Sequence, residues 1–117
     1  MPERIRKRDG RVVRFERMKI SSALYRAMTS VGMDAEAASE LADKLSKKVV
    51  KEIDKLFGGR IPTVEDVQDV VEQILIREGL DKVAKAYILY RERHAELRYL
   101  KHFIGVRDDL KLSVNAV

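Results

Sequence analysis

The sequence predicts a mostly α-helical fold, a four-helix bundle capped by an N-terminal β-hairpin or small β-sheet, and three observations predict it. Asp9-Gly10 lies between two short alternating runs, the pattern of a tight hairpin. From Arg17 onward, apolar residues recur at spacings of three and four in four successive stretches. Capping side chains and glycines punctuate those stretches where helices should start and stop.

The faces of the hairpin set its register. A two-residue loop would put Ile5 and Phe15 on opposite faces, whereas a three-residue loop, Arg8-Asp9-Gly10 with Gly10 left-handed, gathers Ile5, Val13 and Phe15 on one face with Lys7 beside them. The first helix follows from about Arg17, with Ile20, Leu24, Ala27, Met28 and Val31 as its stripe and Gly32 as its end. Glu16 before it is a weak cap. Asp34 caps a longer second helix carrying Ala38, Leu41, Ala42, Leu45, Val49, Ile53 and Leu56, which Phe57-Gly58-Gly59 stops. Ile61-Pro62-Thr63 reads as a short extended connector. Thr63 caps the third helix, with Val67, Val70, Val71, Ile74 and Leu75 inside and Gly79 at its end. Asp81 is placed as the cap of the fourth, whose inner side carries Val83, Ala84, Tyr87, Tyr90, Leu97 and Leu100.

A chain of 117 residues, 45% hydrophobic and 37% charged, has the composition of one globular domain with a modest core. Cysteine is absent, which excludes disulfides, thiolate zinc sites and thiyl chemistry within these residues. No apolar run approaches the roughly 18 residues of a membrane span, and the first residues lack a signal-peptide core, so a cytoplasmic address is expected. Residues 1–95 form the predicted domain. Residues 96–117 read as a connecting helix and the start of a following domain, because the stretch after Ile104-Gly105 begins a new apolar stripe and ends in mid-pattern.

Charge is concentrated at one end. Residues 1–19 hold eight Lys/Arg and three Asp/Glu, while the other 98 residues hold sixteen of each, so the net +5 resides in the hairpin and the helix start. A solvated basic edge that discourages aggregation is the bland account. Two features favour an anion site instead. Lys7 shares a face with apolar residues, where an ammonium needs a counter-charge, and Lys19 stands at a helix N-terminus, where the dipole and free N–H groups already favour one. Lys7, Lys19 and the Arg8 guanidinium, presented around the Asp9-Gly10 turn, suit a triphosphate without a glycine-rich P-loop. On the fourth helix, Tyr87, Tyr90 and Arg93 share one edge, near Lys85, and are either amphipathic core residues or a ligand-facing row. His94 and His102 are expected as exposed helix histidines without metal-ligand partners. The acidic residues are dispersed, and no carboxylate pair reads as an acid/base couple.

Ile5, Lys7, Arg8, Asp9, Gly10, Val13, Phe15, Lys19 and Ile20 together resemble the opening signature of the ATP-cone, the regulatory nucleotide-binding domain at the N-terminus of many ribonucleotide reductases and in a transcriptional repressor of their genes. The Ala86-Tyr87-Ile88-Leu89-Tyr90-Arg91 stretch is similar to an Ala-Tyr-x-x-Tyr-Arg pattern of the same family. The tail from Val106 to Val117, with its Asp108-Asp109-Leu110-Lys111-Leu112 run, resembles the entry to the catalytic domain in adenosylcobalamin-dependent reductases. The resemblance implies a non-catalytic domain that binds ATP or dATP as effector, with Mg2+ held through the phosphates, and that controls overall activity through subunit association. It implies a reductase catalytic domain as partner, in cis or in trans, and a homo-oligomer. It adds Gln68, at the start of the third helix, to the nucleotide-binding residues. Val13 and Val64 depart from polar residues found in some family members, so side-chain reading of the base is not expected from them. The alternative is a nucleic-acid-binding module using the basic hairpin, but that hairpin lacks an exposed aromatic for stacking. The family's repressor reads DNA through a cysteine-bearing zinc ribbon that this sequence does not contain. A cone that has lost its ligand and only dimerises is a third reading, opposed by intact Lys7, Arg8 and Lys19.

Overall fold

A computed structural model describes residues 1–104, with side chains to Lys101. The expectation of a second domain beginning in residues 96–117 falls largely outside this range. Strands β1 (Arg4–Arg6) and β2 (Val12–Arg14) pair antiparallel, with Ile5 opposite Val13 and Arg6 opposite Val12. The Lys7 N–H donates to the Arg11 carbonyl at 2.7 Å and the Gly10 N–H to the Lys7 carbonyl at 2.9 Å. Gly10 has φ 90°, which only glycine adopts cheaply. This is the three-residue loop expected from the faces. Two short strands alone would be marginal. They gain a third partner, since the Arg6 N–H donates to the Pro62 carbonyl at 2.9 Å and Arg6 bridges Thr63 in parallel.

Helices α1 (Arg17–Ser30), α2 (Ala35–Phe57), α3 (Val64–Arg77) and α4 (Asp81–Ile104) follow. Helix α1 packs on α2 and α4, α2 on α3, and α3 on α4, so the four close into a ring around one core. Leu24, Met28, Leu45, Val49, Ile53, Val71 and Leu75 fill its centre. Phe15 is buried with them and ties the hairpin to the bundle, helped by its N–H donating to the Glu3 carbonyl at 2.9 Å.

The helix ends follow the predicted chemistry with one exception. Asp34 accepts from the Glu36 and Ala37 N–H groups, each at 3.1 Å. Thr63 and Asp66 make a reciprocal capping box. Glu16 stands at the N-cap of α1 without a side-chain capping bond. Asp81, expected as a cap, lies inside the first turn of α4, and the Leu80 carbonyl accepts the first helical bond from Ala84 at 2.8 Å. There the carboxylate favours the helix through the dipole rather than through a capping bond. Asp34→Ala is expected to cost about 1 kcal/mol of unfolding free energy in a urea titration, because two first-turn donors lose their acceptor.

Three predicted core positions are exposed: Val31, Leu56 and Leu100. All lie in or just past the last turns of their helices. Val31 follows the end of the short α1 itself, whereas Leu56 and Leu100 continue the periodicity of the long helices α2 and α4, of 23 and 24 residues, past what α1 and α3, of 14 residues each, cover.

Candidate functional site

A cleft of about 470 Å³ opens between the hairpin, the first turns of α1 and α3, and the middle of α4. Its floor is apolar, with Ile5, Val13, Phe15, Ile20, Val67 and Tyr87. Its walls carry six cations, Lys7, Arg8, Arg11, Arg14, Lys19 and Arg98, against two carboxylates, Asp9 and Glu16. An apolar floor under a cationic rim suits a ligand with a flat ring at one end and strong negative charge at the other.

The hairpin supplies the most distinctive group. Lys7 is half-buried, as its place on the Ile5 face requires, and among the described residues no carboxylate pairs with it. Arg8 reaches across to α3, where it forms an ion pair with Glu65 and donates from Nη2 to Gln68 Oε1 at 3.1 Å. Asp9 turns back on the loop. It accepts from the Arg11 N–H at 3.0 Å and from Arg11 Nε at 2.7 Å, and these bonds, the backbone one foremost, hold its carboxyl below the usual range. Asp9 therefore fixes the turn, and Gly10 supplies the φ that the turn needs.

Two helix N-termini meet the cleft, and they differ. The α3 end is satisfied by its own capping box, while α1 has neither a side-chain cap nor an acidic residue in its first turn. Its dipole is the one left open to an anion. Lys19, in that turn, is exposed and only loosely paired with Glu16 at 3.8 Å.

Helix α4 contributes a column of rings. Tyr87 is buried and stacks on Tyr90 with centroids 6.3 Å apart, and Tyr90 meets His94 at 4.3 Å. Burial pushes the Tyr87 phenol above its ordinary value in spite of Arg91 nearby. Arg91 donates to Asp69 and Glu72 on α3, each at 2.9 Å, and so ties α4 to α3 beside the column.

Of the predicted residues, Lys7, Arg8, Asp9, Lys19, Gln68, Tyr87 and Tyr90 line the cleft; Gly10, Lys85 and Arg93 do not. Lys85 and Arg93 are exposed elsewhere on α4. Sequence reasoning missed Arg98, Arg11 and Arg14. Arg98 was legible, since Tyr87, Tyr90, His94 and Arg98 follow the three-four-four spacing of one helical stripe. Arg11 and Arg14 carry no spacing signal that separates them from solvated hairpin charges.

The family model described as ATP cone domain matches residues 3–96, most of the chain. The chain belongs to the ATP-cone family. This cone is 44% identical over 122 residues to a vitamin B12-dependent ribonucleoside-diphosphate reductase of Thermoplasma acidophilum, an alignment taking in 100% of this chain and 15% of the relative. A reductase of the same description from Mycobacterium tuberculosis is 43% identical over 116 residues, covering 99% of this chain and 16% of the relative. A ribonucleoside-diphosphate reductase subunit alpha of Chlamydia pneumoniae is 38% identical over 96 residues, with 79% and 9% covered. The cone thus spans about 15% of the length of the B12-dependent relatives it matches. No helix among the described residues is long and apolar enough to cross a membrane.

His94 corrects an expectation of exposure: it is half-buried against Tyr90. Burial first, then Arg98 and Arg26, lowers its pKa below the ordinary 6.5. The unfolded chain therefore takes up the proton first, and stability should fall as pH drops from 7 through about 6.5. Thermal melts between pH 7.5 and 5.5 should show this slope, and His94→Gln should flatten it.

Proposed function

We propose that this cone is the nucleotide-sensing regulatory domain of a ribonucleotide reductase, binding ATP and, competitively, dATP in the cleft beside the hairpin. The observation that carries the reading is Lys7, a half-buried ammonium without a carboxylate partner among the described residues, facing the same cleft as Lys19 and the open N-terminus of α1. In this reading Lys7, Arg8 and Lys19 neutralise the triphosphate, while Tyr87, Tyr90 and Gln68 border the base and ribose. Asp9 and Gly10 act through the turn that presents Lys7 and Arg8. Among the described residues no cluster of three His, Cys, Asp or Glu is arranged for a metal ion, so Mg2+ would arrive on the phosphates. The similarity to reductases supports a catalytic domain in cis as the partner.

ATP and dATP differ by one hydroxyl. Regulation through subunit association then requires the cleft to convert that small difference in contacts into a preference between two arrangements of the larger protein. The base is read by backbone groups of the turn from Phe15 to Met18, since Val13 offers no polar atom.

A calorimetric titration of the chain with ATP, dATP and GTP in magnesium, beside a short DNA duplex, tests the proposal. Saturable binding of ATP and dATP with weaker GTP is expected. Arg4 and Arg14, paired across the ribbon and both exposed, are what favours a nucleic-acid surface. Salt-sensitive duplex binding with no nucleotide preference would establish that reading instead.

A further inference from the structure

We infer that Glu65 is a built-in competitor of the ligand: it holds Arg8 where a phosphate would hold it, and a polyphosphate binds by displacing it. The inference rests on the reading of the cleft as a polyphosphate site and adds a group that tempers how tightly that site holds a highly charged ligand.

Both sides of the Arg8 guanidinium are engaged, Nη1 by the Glu65 carboxylate and Nη2 by Gln68 Oε1 at 3.1 Å. Helix α3 does not need Glu65 for capping, because Thr63 and Asp66 satisfy each other: the Asp66 N–H donates to Thr63 Oγ1 at 3.0 Å and the Thr63 N–H to Asp66 Oδ2 at 2.9 Å. The carboxylate answers a local excess of cations instead. Arg98 lines the same cleft, close enough to Arg8 for their repulsion to hold its guanidinium below the ordinary value, after partial burial as the larger cause, and Glu65 offsets that repulsion in part. Without an anion, Arg8 and Arg98 would face each other uncompensated; Glu65 supplies one charge.

A triphosphate brings more charge than Glu65 and makes it redundant. Once phosphate oxygens reach Arg8, the carboxylate beside them is a like charge. Glu65 thus penalises every anion that enters, and the penalty grows with the charge the ligand brings to the arginine pair. Replacing the carboxylate by its neutral isostere should favour the most highly charged ligand most.

The test is calorimetry on the full chain with ATP and AMP in magnesium, for the parent, Glu65→Gln and Lys7→Ala, with helical content followed by circular dichroism. Glu65→Gln is expected to tighten ATP by roughly two- to fivefold, the scale of one partly exposed ion pair, and AMP by less than about twofold. Glu65→Ala, which also removes the charge, should shift ATP in the same direction. Unchanged or weakened ATP binding in both variants overturns the inference and makes Glu65 an anchor for Arg8. Lys7→Ala separates the two levels. If that variant loses ATP while Glu65→Gln gains nothing, only the role of Glu65 fails; if it binds ATP like the parent, the site itself is misassigned.

Discussion

Lys7→Ala is expected to lower the affinity for ATP by about 10- to 100-fold while leaving the helical signal and the melting temperature in place. A hydrogen bond to a charged group is worth about 1.5–3 kcal/mol, and the half-buried position of Lys7 puts its contact with phosphate within that range. The fold tolerates the change for two reasons. Among the described residues the ammonium has no carboxylate to orphan, and the turn is held by the main chain of residue 7, whose N–H and carbonyl bonds survive in alanine. Lys19→Ala should follow in the same direction with a smaller effect, since that side chain is exposed and solvent already screens it. Titration calorimetry beside far-ultraviolet circular dichroism reads both quantities; retained affinity in both variants would remove the site from the hairpin.

The contrast between these lysines also shows what sequence could and could not deliver. The hairpin register was legible because a one-residue slip moves every side chain to the other face, and only one loop length puts Ile5, Val13 and Phe15 together. The same argument placed Lys7 inward. Helix boundaries at Asp34, Thr63 and Gly32 were legible because capping is local chemistry, carried by the residue itself. Packing partners are a different matter. Leu56 and Leu100 sit in phase with core residues yet lie exposed, because phase says which face a residue occupies and nothing about whether another helix reaches it. Pairing across sequence distance was likewise invisible: nothing in Arg8 or Glu65 alone announces that they meet, 57 positions apart. Arg98 is an intermediate case. Its place on the Tyr87 stripe was readable, but its approach to Arg8 joins residues 90 positions apart, which no local pattern reports.

Tyr87→Ala is expected to destabilise the chain by about 3–5 kcal/mol, a large share of what a domain of this size has in hand. The ring is 4% exposed, packed in the core and stacked on Tyr90, so truncation opens a cavity at the junction of α4 with the cleft floor. Tyr87→Phe keeps the volume and the stacking, and should cost no more than about 1 kcal/mol. Because burial keeps the phenol protonated, the hydroxyl is a neutral donor at any physiological pH, and Tyr87→Phe isolates that single group in ligand binding. One ring that closes the core and floors the cleft couples occupancy to folding: a ligand that rests on it stabilises the native chain by mass action. Urea titrations of the parent and both variants, with and without saturating ATP, separate the roles. The parent and Tyr87→Phe should gain stability from ATP, whereas Tyr87→Ala should lose most of that gain along with its intrinsic stability. A cost below about 1 kcal/mol for Tyr87→Ala would mean that the floor of the cleft can be removed without disturbing the bundle, and the coupling of site to core would have to run through Phe15 instead.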